Sequence, residues 1–265
     1  MLSNNKHRFI VSLQRKKIRD EEMLFVIEGD KIVKEFLGSE MKIVTLIAKP
    51  EFIGDLTVDQ MKSIDEVIPV SYEELKKLSS LKTPHNAMAV VKIPENEEPA
   101  TINKGELIAA LDFIQDPGNL GTIIRAAAWF GIKKIICSEN CVDVYNPKVV
   151  QATMGAILNV KVHYTDLKNW LMLVNKNGFE VYGTLLEGES IYARDLKQEG
   201  VILLGNESRG ISDDLLPLIT SNITIPKFTD ASRGIESLNA GMAAAVVFSE
   251  FARRKNSTNK NKNYY

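Results

Sequence analysis

An α/β fold in two parts, the second built on a parallel sheet, is predicted by three features of the chain. Short continuous apolar runs recur with helical stretches between them, the pattern of strands buried on both faces. A polar, acidic segment bracketed by prolines, Pro94-Glu95-Asn96-Glu97-Glu98-Pro99, interrupts this alternation and reads as a linker. Asp116-Pro117-Gly118-Asn119-Leu120-Gly121-Thr122-Ile123-Ile124-Arg125 joins the apolar run Leu107 to Ile114 to the alanine-rich stretch Ala126-Ala127-Ala128-Trp129-Phe130 as strand, tight turn and helix. That turn places an Asn at its apex and an Arg on the first turns of the helix, beyond a strand end, where open α/β sheets bind ligands.

Taken in order, residues Asn5 to Lys17 read as one basic amphipathic helix with Phe9, Ile10 and Leu13 on one side. Leu24 to Ile27 reads as a strand, Glu28-Gly29-Asp30 as its turn, Lys31 to Leu37 as a helix and Ile43 to Ala48 as a second strand. Ser71 and Glu74 have the spacing of a capping box, in which hydroxyl and carboxylate satisfy free amides at a helix start. Ala87 to Ile93 closes this small α/β unit. Beyond the linker, strands are predicted at Leu107 to Ile114, Lys134 to Cys137, Val160 to Tyr164, Glu180 to Leu185, Val201 to Leu204 and Ile223 to Ile225. Helices lie between most of them, and a long helix runs from Ser237 to about Arg253. The expected organisation is a first domain over residues 1–94, a linker over 95–104, a second domain over 105–254 and a disordered, Asn- and Lys-rich tail over 255–265.

The 265 residues, 45% hydrophobic and 25% charged, are enough for one large domain or two ordinary ones. A net charge of -1 does not by itself indicate a polyanionic partner, but the distribution is uneven. Lys6, Arg8, Arg15, Lys16, Lys17 and Arg19 crowd the start, as a solvated face or as the footprint of RNA. Arg253, Arg254, Lys255, Lys260 and Lys262 read as a solubilising end. Cys137 and Cys141 fit neither a zinc site nor a disulfide framework, and Cys137 ends an apolar run as a small core residue. His7, His85 and His163 are scattered, so no metal is expected. No apolar run reaches membrane-spanning length and the N-terminus lacks a secretory core, so a cytoplasmic protein without a membrane partner is expected.

Three segments of the second part carry chemistry. One is the turn from Asp116 to Arg125. Another is Leu203-Leu204-Gly205-Asn206-Glu207-Ser208-Arg209-Gly210, a strand entering a loop between two glycines that allow close backbone approach and positive φ. The third runs from Ile225-Pro226 through a polar loop to Glu236-Ser237-Leu238-Asn239 at the last helix. Singly, each has a plain explanation: a turn, a strand-to-helix connection, a helix N-cap at Ser237. Together, in this order and at strand ends, they gather at one edge of a doubly wound sheet.

These segments resemble the three motifs of the SpoU group of RNA ribose 2′-O-methyltransferases, within the SPOUT class, over roughly Leu107 to Arg253. Leu13-Gln14-Arg15-Lys16-Lys17-Ile18-Arg19-Asp20, with Leu24-Phe25-Val26-Ile27-Glu28-Gly29 behind it, resembles the SpoU substrate-binding domain. The resemblance implies a trefoil-knotted parallel-sheet methyltransferase domain preceded by a small α/β RNA-binding domain, with S-adenosyl-L-methionine as cofactor and a homodimer as the working form. It implies catalytic roles for Arg125, Asn119, Glu207, Ser237 and Asn239. Leu204, Gly205, Gly210, Ile225 and Leu238 then line the cofactor site, and Arg15, Lys16, Lys17 and Arg19 contact RNA.

Within that resemblance Arg125 either activates the 2′-hydroxyl or grips the adjoining phosphate and stabilises the developing alkoxide. A guanidinium with a pKa above about 12 makes the second role chemically easier. Glu207 is expected to orient Arg125 or an amide of the third motif. The chain departs from the family pattern in the long stretch Lys227 to Ile235 and in Ala240-Gly241 where Val-Ser is usual, which bears on the cofactor pocket; Arg233 in that stretch reads as a solvated loop residue. Ribosomal RNA is the expected substrate, transfer RNA the alternative, and an RNA-binding ribosome assembly factor with little cofactor affinity a second reading. A dinucleotide-dependent oxidoreductase is disfavoured, because no glycine-rich Gly-x-Gly-x-x-Gly turn follows any strand.

Overall fold

The computed structural model describes residues 2–95, 101–229 and 237–258, the last four of these by backbone alone. Its chain forms two compact units, Met1–Asn96 with Asp143–Leu158, and Glu97–Val142 with Asn159–Tyr265. The excursion of Asp143–Leu158 into the first unit has no signal in the sequence. Part of the expected linker lies outside the described residues; within the rest of it, Ile102 is buried in the core of the second unit.

The first unit runs α1 (Asn4–Ser12), α2 (Lys16–Glu22), β1 (Leu24–Glu28), α3 (Asp30–Leu37), β2 (Ile43–Ala48), α4 (Pro50–Gly54), α5 (Val58–Lys62), β3 (Glu66–Pro69), α6 (Tyr72–Leu78) and β4 (Ala87–Lys92). The sheet order is β1-β4-β2-β3, antiparallel except for β2 with β3. Alternation along each strand feeds two cores. Phe25, Ile27, Leu46, Ala89 and Val91 pack with Phe36 of α3 on one face, and Val26, Ile47 and Val90 pack with Ile10, Leu13, Leu75 and Leu78 on the other. The Ser71–Glu74 capping box is present as the sequence predicts. The elements α4, α5 and β3 escape the sequence reading because runs of four or five residues carry too little periodicity.

One predicted helix is two. The chain breaks after Ser12 and restarts at Lys16, with Leu13 fully buried and Arg15 extended. A helix end leaves carbonyls without intrahelical donors. Here the Arg19 Nη1 donates to the carbonyls of Leu13 (2.9 Å) and Gln14 (2.8 Å), while its Nε and Nη2 donate to Asp143 at 3.1 and 2.5 Å. Arg19 is only 1% exposed. It therefore leaves the set of expected RNA contacts: its donors already hold the α1–α2 corner to Asp143. Beside it, Tyr145 packs against Phe25 with ring centroids 4.7 Å apart, and α8 (Pro147–Thr153) adds Val150 to the same core.

The second unit holds β5 (Leu107–Leu111), α7 (Pro117–Trp129), β6 (Lys134–Ser138), β7 (Lys161–Thr165), α9 (Leu167–Lys176), β8 (Val181–Ser190), β9 (Gly200–Leu204), β10 (Ser221–Thr224) and α10 (Ala240–Thr258). Its six strands are all parallel, in the order β10-β8-β9-β5-β6-β7. Trp170, Leu171 and Val174 of α9 cover Ile108, Ala110, Val201 and Leu203. The helix α10 follows the edge strand β10 yet packs against α7, which follows the interior strand β5. The connection that would thread a knot passes through residues 230–236, outside the described residues, as does Arg233. The helix begins at Ala240 rather than Ser237, and its backbone continues to Thr258, into the stretch expected to be a disordered tail. Among the described residues no helix is long and apolar enough to cross a membrane.

Two consequences are measurable. Breaking a buried ion pair strands its partner's charge, so Asp143→Ala should lower unfolding free energy by about 3–5 kcal/mol in chemical denaturation, whereas Asp20→Ala, which breaks an exposed pair with Lys16, should cost less than about 1 kcal/mol. On α10, Glu250 accepts hydrogen bonds from Arg253 and Arg254, and chiefly the Arg253 bond holds its carboxyl below the ordinary value of 4.5. A depressed carboxyl stabilises the fold above its unfolded pKa and loses that contribution as pH falls through the folded one. Glu250→Gln should therefore lower the melting temperature at pH 7 and reduce the difference from wild type on acidification below pH 4.5.

Candidate active site

The site forms where β5 and β9, neighbours in the parallel sheet, reach their C-terminal ends. Asp116 follows β5 and caps α7: its carboxylate accepts the Asn119 amide at 2.8 Å, and Pro117 occupies the first helical position, where a missing N–H costs nothing. Asn119 thus lies within the first turn of the helix rather than at the apex of a turn. Its side chain is half-buried. The Nδ2 donates to the Glu207 carboxylate in the loop after β9, and the Oδ1 accepts from Asn239 Nδ2 at 2.8 Å.

Asn239 in turn caps α10, its Oδ1 accepting the amides of Gly241 (3.0 Å) and Met242 (3.3 Å). A continuous chain of side-chain bonds, Glu207 to Asn119 to Asn239, joins all three motif segments. The anionic Glu207 fixes which end of the Asn119 amide points each way, and so leaves the Asn119 oxygen for Asn239.

Two expectations change accordingly. Among the described residues Glu207 bonds the Asn119 side chain, and neither Arg125 nor a described amide of the third motif. The chain around it returns through a bridge between Asn206 and Gly210 with paired backbone bonds of 2.9 Å. The N-cap role open to Ser237 belongs to Asn239. Ser237 is exposed, as are Leu238 and Arg125.

The glycines divide their work. Gly210 has φ +72°, a conformation that favours glycine. Gly205 does not need positive φ. A Cβ there would lie 2.3 Å from the Gly210 carbonyl carbon and 2.5 Å from the Ile211 nitrogen, so its hydrogen is what lets the two backbones touch. Leu204 is buried at the end of β9, and Ile225 is half-buried just after β10. Gly241, a departure from the usual family residue, also has a packing reason: a Cβ on it would stand 2.9 Å from Thr122 Cγ2, so glycine lets α10 approach α7 one turn before Arg125. Sequence reasoning missed Asn206. Its Nδ2 donates to the Phe113 carbonyl (3.0 Å) and its Oδ1 accepts the Ser208 and Arg209 amides. An Asn beside a glycine-ended loop is the available signal, since Asn side chains often bond the backbone two residues on.

Elsewhere, Cys137 is fully buried, and burial pushes its thiol well above the ordinary range. Cys141 donates to the Leu111 carbonyl at 3.3 Å. Among the described residues no His, Cys, Asp and Glu gather in a group able to hold a metal. Arg15, Lys16 and Lys17 are exposed in the first unit, and the pairing of the two lysines with Asp20 and Glu21 across one helical turn is solvent-screened.

Residues 4–89 match an MRM3-like substrate binding domain. A Bacillus subtilis protein named 23S rRNA (guanosine(2553)-2′-O)-methyltransferase RlmP is 29% identical over 245 residues, covering 92% of this chain and 94% of its own. A Porphyromonas gingivalis structure, described as an RNA methyltransferase of the TrmH family, superposes with a TM-score of 0.85 and 35% identity, covering 96% of this chain and 99% of its own. An AdoMet-bound rRNA methyltransferase from Sinorhizobium meliloti does so with 0.84 and 28%, covering 96% of each chain. Residues 106–249, more than half of the chain and the whole of the three-motif region, match the SpoU rRNA methylase family, and the chain belongs to that family.

Proposed function

We propose that this chain transfers a methyl group from S-adenosyl-L-methionine to a ribose 2′-hydroxyl of ribosomal RNA. The observation that carries the reading is the Glu207–Asn119–Asn239 chain, which holds three separate segments at one edge of a parallel sheet. The family match and the rRNA methyltransferases among the relatives support the RNA substrate and the cofactor.

The residues present fit the cofactor. Gly205 and Gly210 bring two backbones into contact at the end of β9, Leu238 is exposed immediately before Asn239, which bonds Asn119, and Ile225 is half-buried just after β10. Backbone groups at Leu204, Gly205 and Gly210 would hold the polar edges of the adenosyl group, with Ile225 and Leu238 against its apolar face. When bound, it supplies a methyl group already activated on a sulfonium.

The protein's own part is then positioning and proton handling. Arg125, exposed on α7, grips the phosphate beside the target ribose with its planar fork and stabilises charge as it develops on the 2′-oxygen. Asn119 is polarised by Glu207 and braced by Asn239, so its free hydrogen-bonding capacity faces the ribose in a fixed orientation. Ser237, exposed at the head of α10, completes the polar rim. Arg15, Lys16 and Lys17 give the first unit a cationic face for RNA. The working form is a homodimer: Trp129 of α7 and Met242 of α10 are 85% and 63% exposed, large apolar side chains of the kind a second copy covers. The site of action is the cytoplasm, and no metal takes part.

The direct test is transfer of labelled methyl from S-adenosyl-L-methionine to rRNA taken from a strain lacking the gene, followed by mapping of the blocked 2′-position. Transfer to tRNA alone would reassign the substrate, and no heat of cofactor binding at millimolar concentration would favour an assembly factor. Arg125→Lys should lower kcat by about 10²-fold or more, the scale of losing a directed charge stabiliser, with cofactor affinity by calorimetry unchanged. Gly205→Ala should do the reverse of that separation: its Cβ displaces the Gly210 backbone, so cofactor affinity falls by at least about tenfold in the same titration.

A further inference from the structure

We propose that Arg209 is an RNA-phosphate contact at the rim of the site, preset by its stacking on Phe113. This rests on the reading of the chain as an RNA methyltransferase and extends it to a residue to which neither the motifs nor the fold assigns a role.

The loop that carries Arg209 is unusually fixed for so exposed a segment. Asn206 and Gly210 exchange two backbone bonds. Inside that bridge the Asn206 Oδ1 accepts the amides of Ser208 (2.9 Å) and Arg209 (3.2 Å), so the backbone of Arg209 is held directly. The side chain is held as well: its guanidinium carbon lies 4.7 Å from the centroid of the Phe113 ring. Phe113 is itself in a costly conformation, with φ +58° in the left-handed region that bulky residues avoid. It stays there because its amide donates to Ser138 Oγ (2.9 Å) and its carbonyl accepts from Asn206 Nδ2 (3.0 Å). Strained backbone over-determined by its surroundings is concentrated at functional sites, because it aims a side chain.

What is aimed here is a cation. Arg209 is exposed and makes no ion pair among the described residues. Stacking on an aromatic face occupies the plane of a guanidinium and leaves its N–H edge free, the edge that matches two oxygens of a phosphate. Arg209 is two residues from Glu207, whose carboxylate bonds Asn119. A polyanion laid across the site would therefore meet it. The other anion available is the carboxylate of the cofactor, but exposure at the rim favours the larger ligand.

The test uses the full chain and measures equilibrium binding of rRNA by filter retention at several salt concentrations, beside methyl-transfer kinetics. Arg209→Ala should weaken RNA binding about tenfold at physiological salt and make the dependence of log affinity on log salt shallower by about one, the signature of one lost phosphate contact. Its kcat and its affinity for S-adenosyl-L-methionine should stay at wild-type values. Arg209→Lys should keep the salt slope and lose part of the affinity. Phe113→Leu, which removes the stack and keeps the charge, should behave like Arg209→Lys. An unchanged affinity and slope in Arg209→Ala overturns the proposal, and so does a loss confined to cofactor binding. If Arg209→Ala does not fold, the lysine and leucine variants decide, and wild-type affinity in both overturns it. Because binding is read without turnover, a wild-type chain that holds RNA but transfers no methyl refutes the enzyme while still scoring Arg209.

Discussion

The second unit depends on one short relay from a carboxylate through two side-chain amides. Glu207 fixes the Asn119 side chain, and Asn119 fixes Asn239. Two members also do local work: Asn119 takes part in the capped first turn of α7, and Asn239 caps α10. A single set of bonds therefore sets where two helices begin and how the loop after β9 meets them. Helix starts expose unpaired amides, and the relay from Glu207 reaches the first turn of α7 and, through Asn119, the N-cap of α10. It also makes the edge rigid before any ligand arrives, the condition for dipoles to stabilise a developing charge.

Small residues make that convergence possible. Gly205 lets the strand end touch the returning loop, and Gly241 lets α10 lie close on α7 beside Thr122. Side chains at either place would separate the segments by the width of a methyl group, a distance over which hydrogen bonds between amides fail. The departure of Ala240-Gly241 from the family pattern is thus a matter of helix packing and leaves the polar relay intact.

The first unit is held on a different principle. Its sheet has an apolar layer on each face, and a buried cation, Arg19, ties two helix-end carbonyls to Asp143. A guanidinium suits this place because its five donors can serve a corner that no single amide could satisfy. Of the four basic residues expected to contact RNA, Arg15, Lys16 and Lys17 remain exposed.

By itself the sequence determined most of the strand and helix alternation, the parallel sheet and the capping box at Ser71, because each is written in local period or turn chemistry, while the three motif segments were legible only together, through their resemblance to a family. Tertiary structure alone decided the rest. The helix break at Leu13, the burial of Arg19 and the passage of Asp143–Leu158 into the first unit depend on partners more than a hundred residues away along the chain. The pairing of Glu207 with Asn119 rather than with Arg125 likewise joins residues 88 positions apart. A carboxylate bonds whichever donor the fold brings within reach, and that distance is set by the packing of β5 against β9, to which no single segment holds the key.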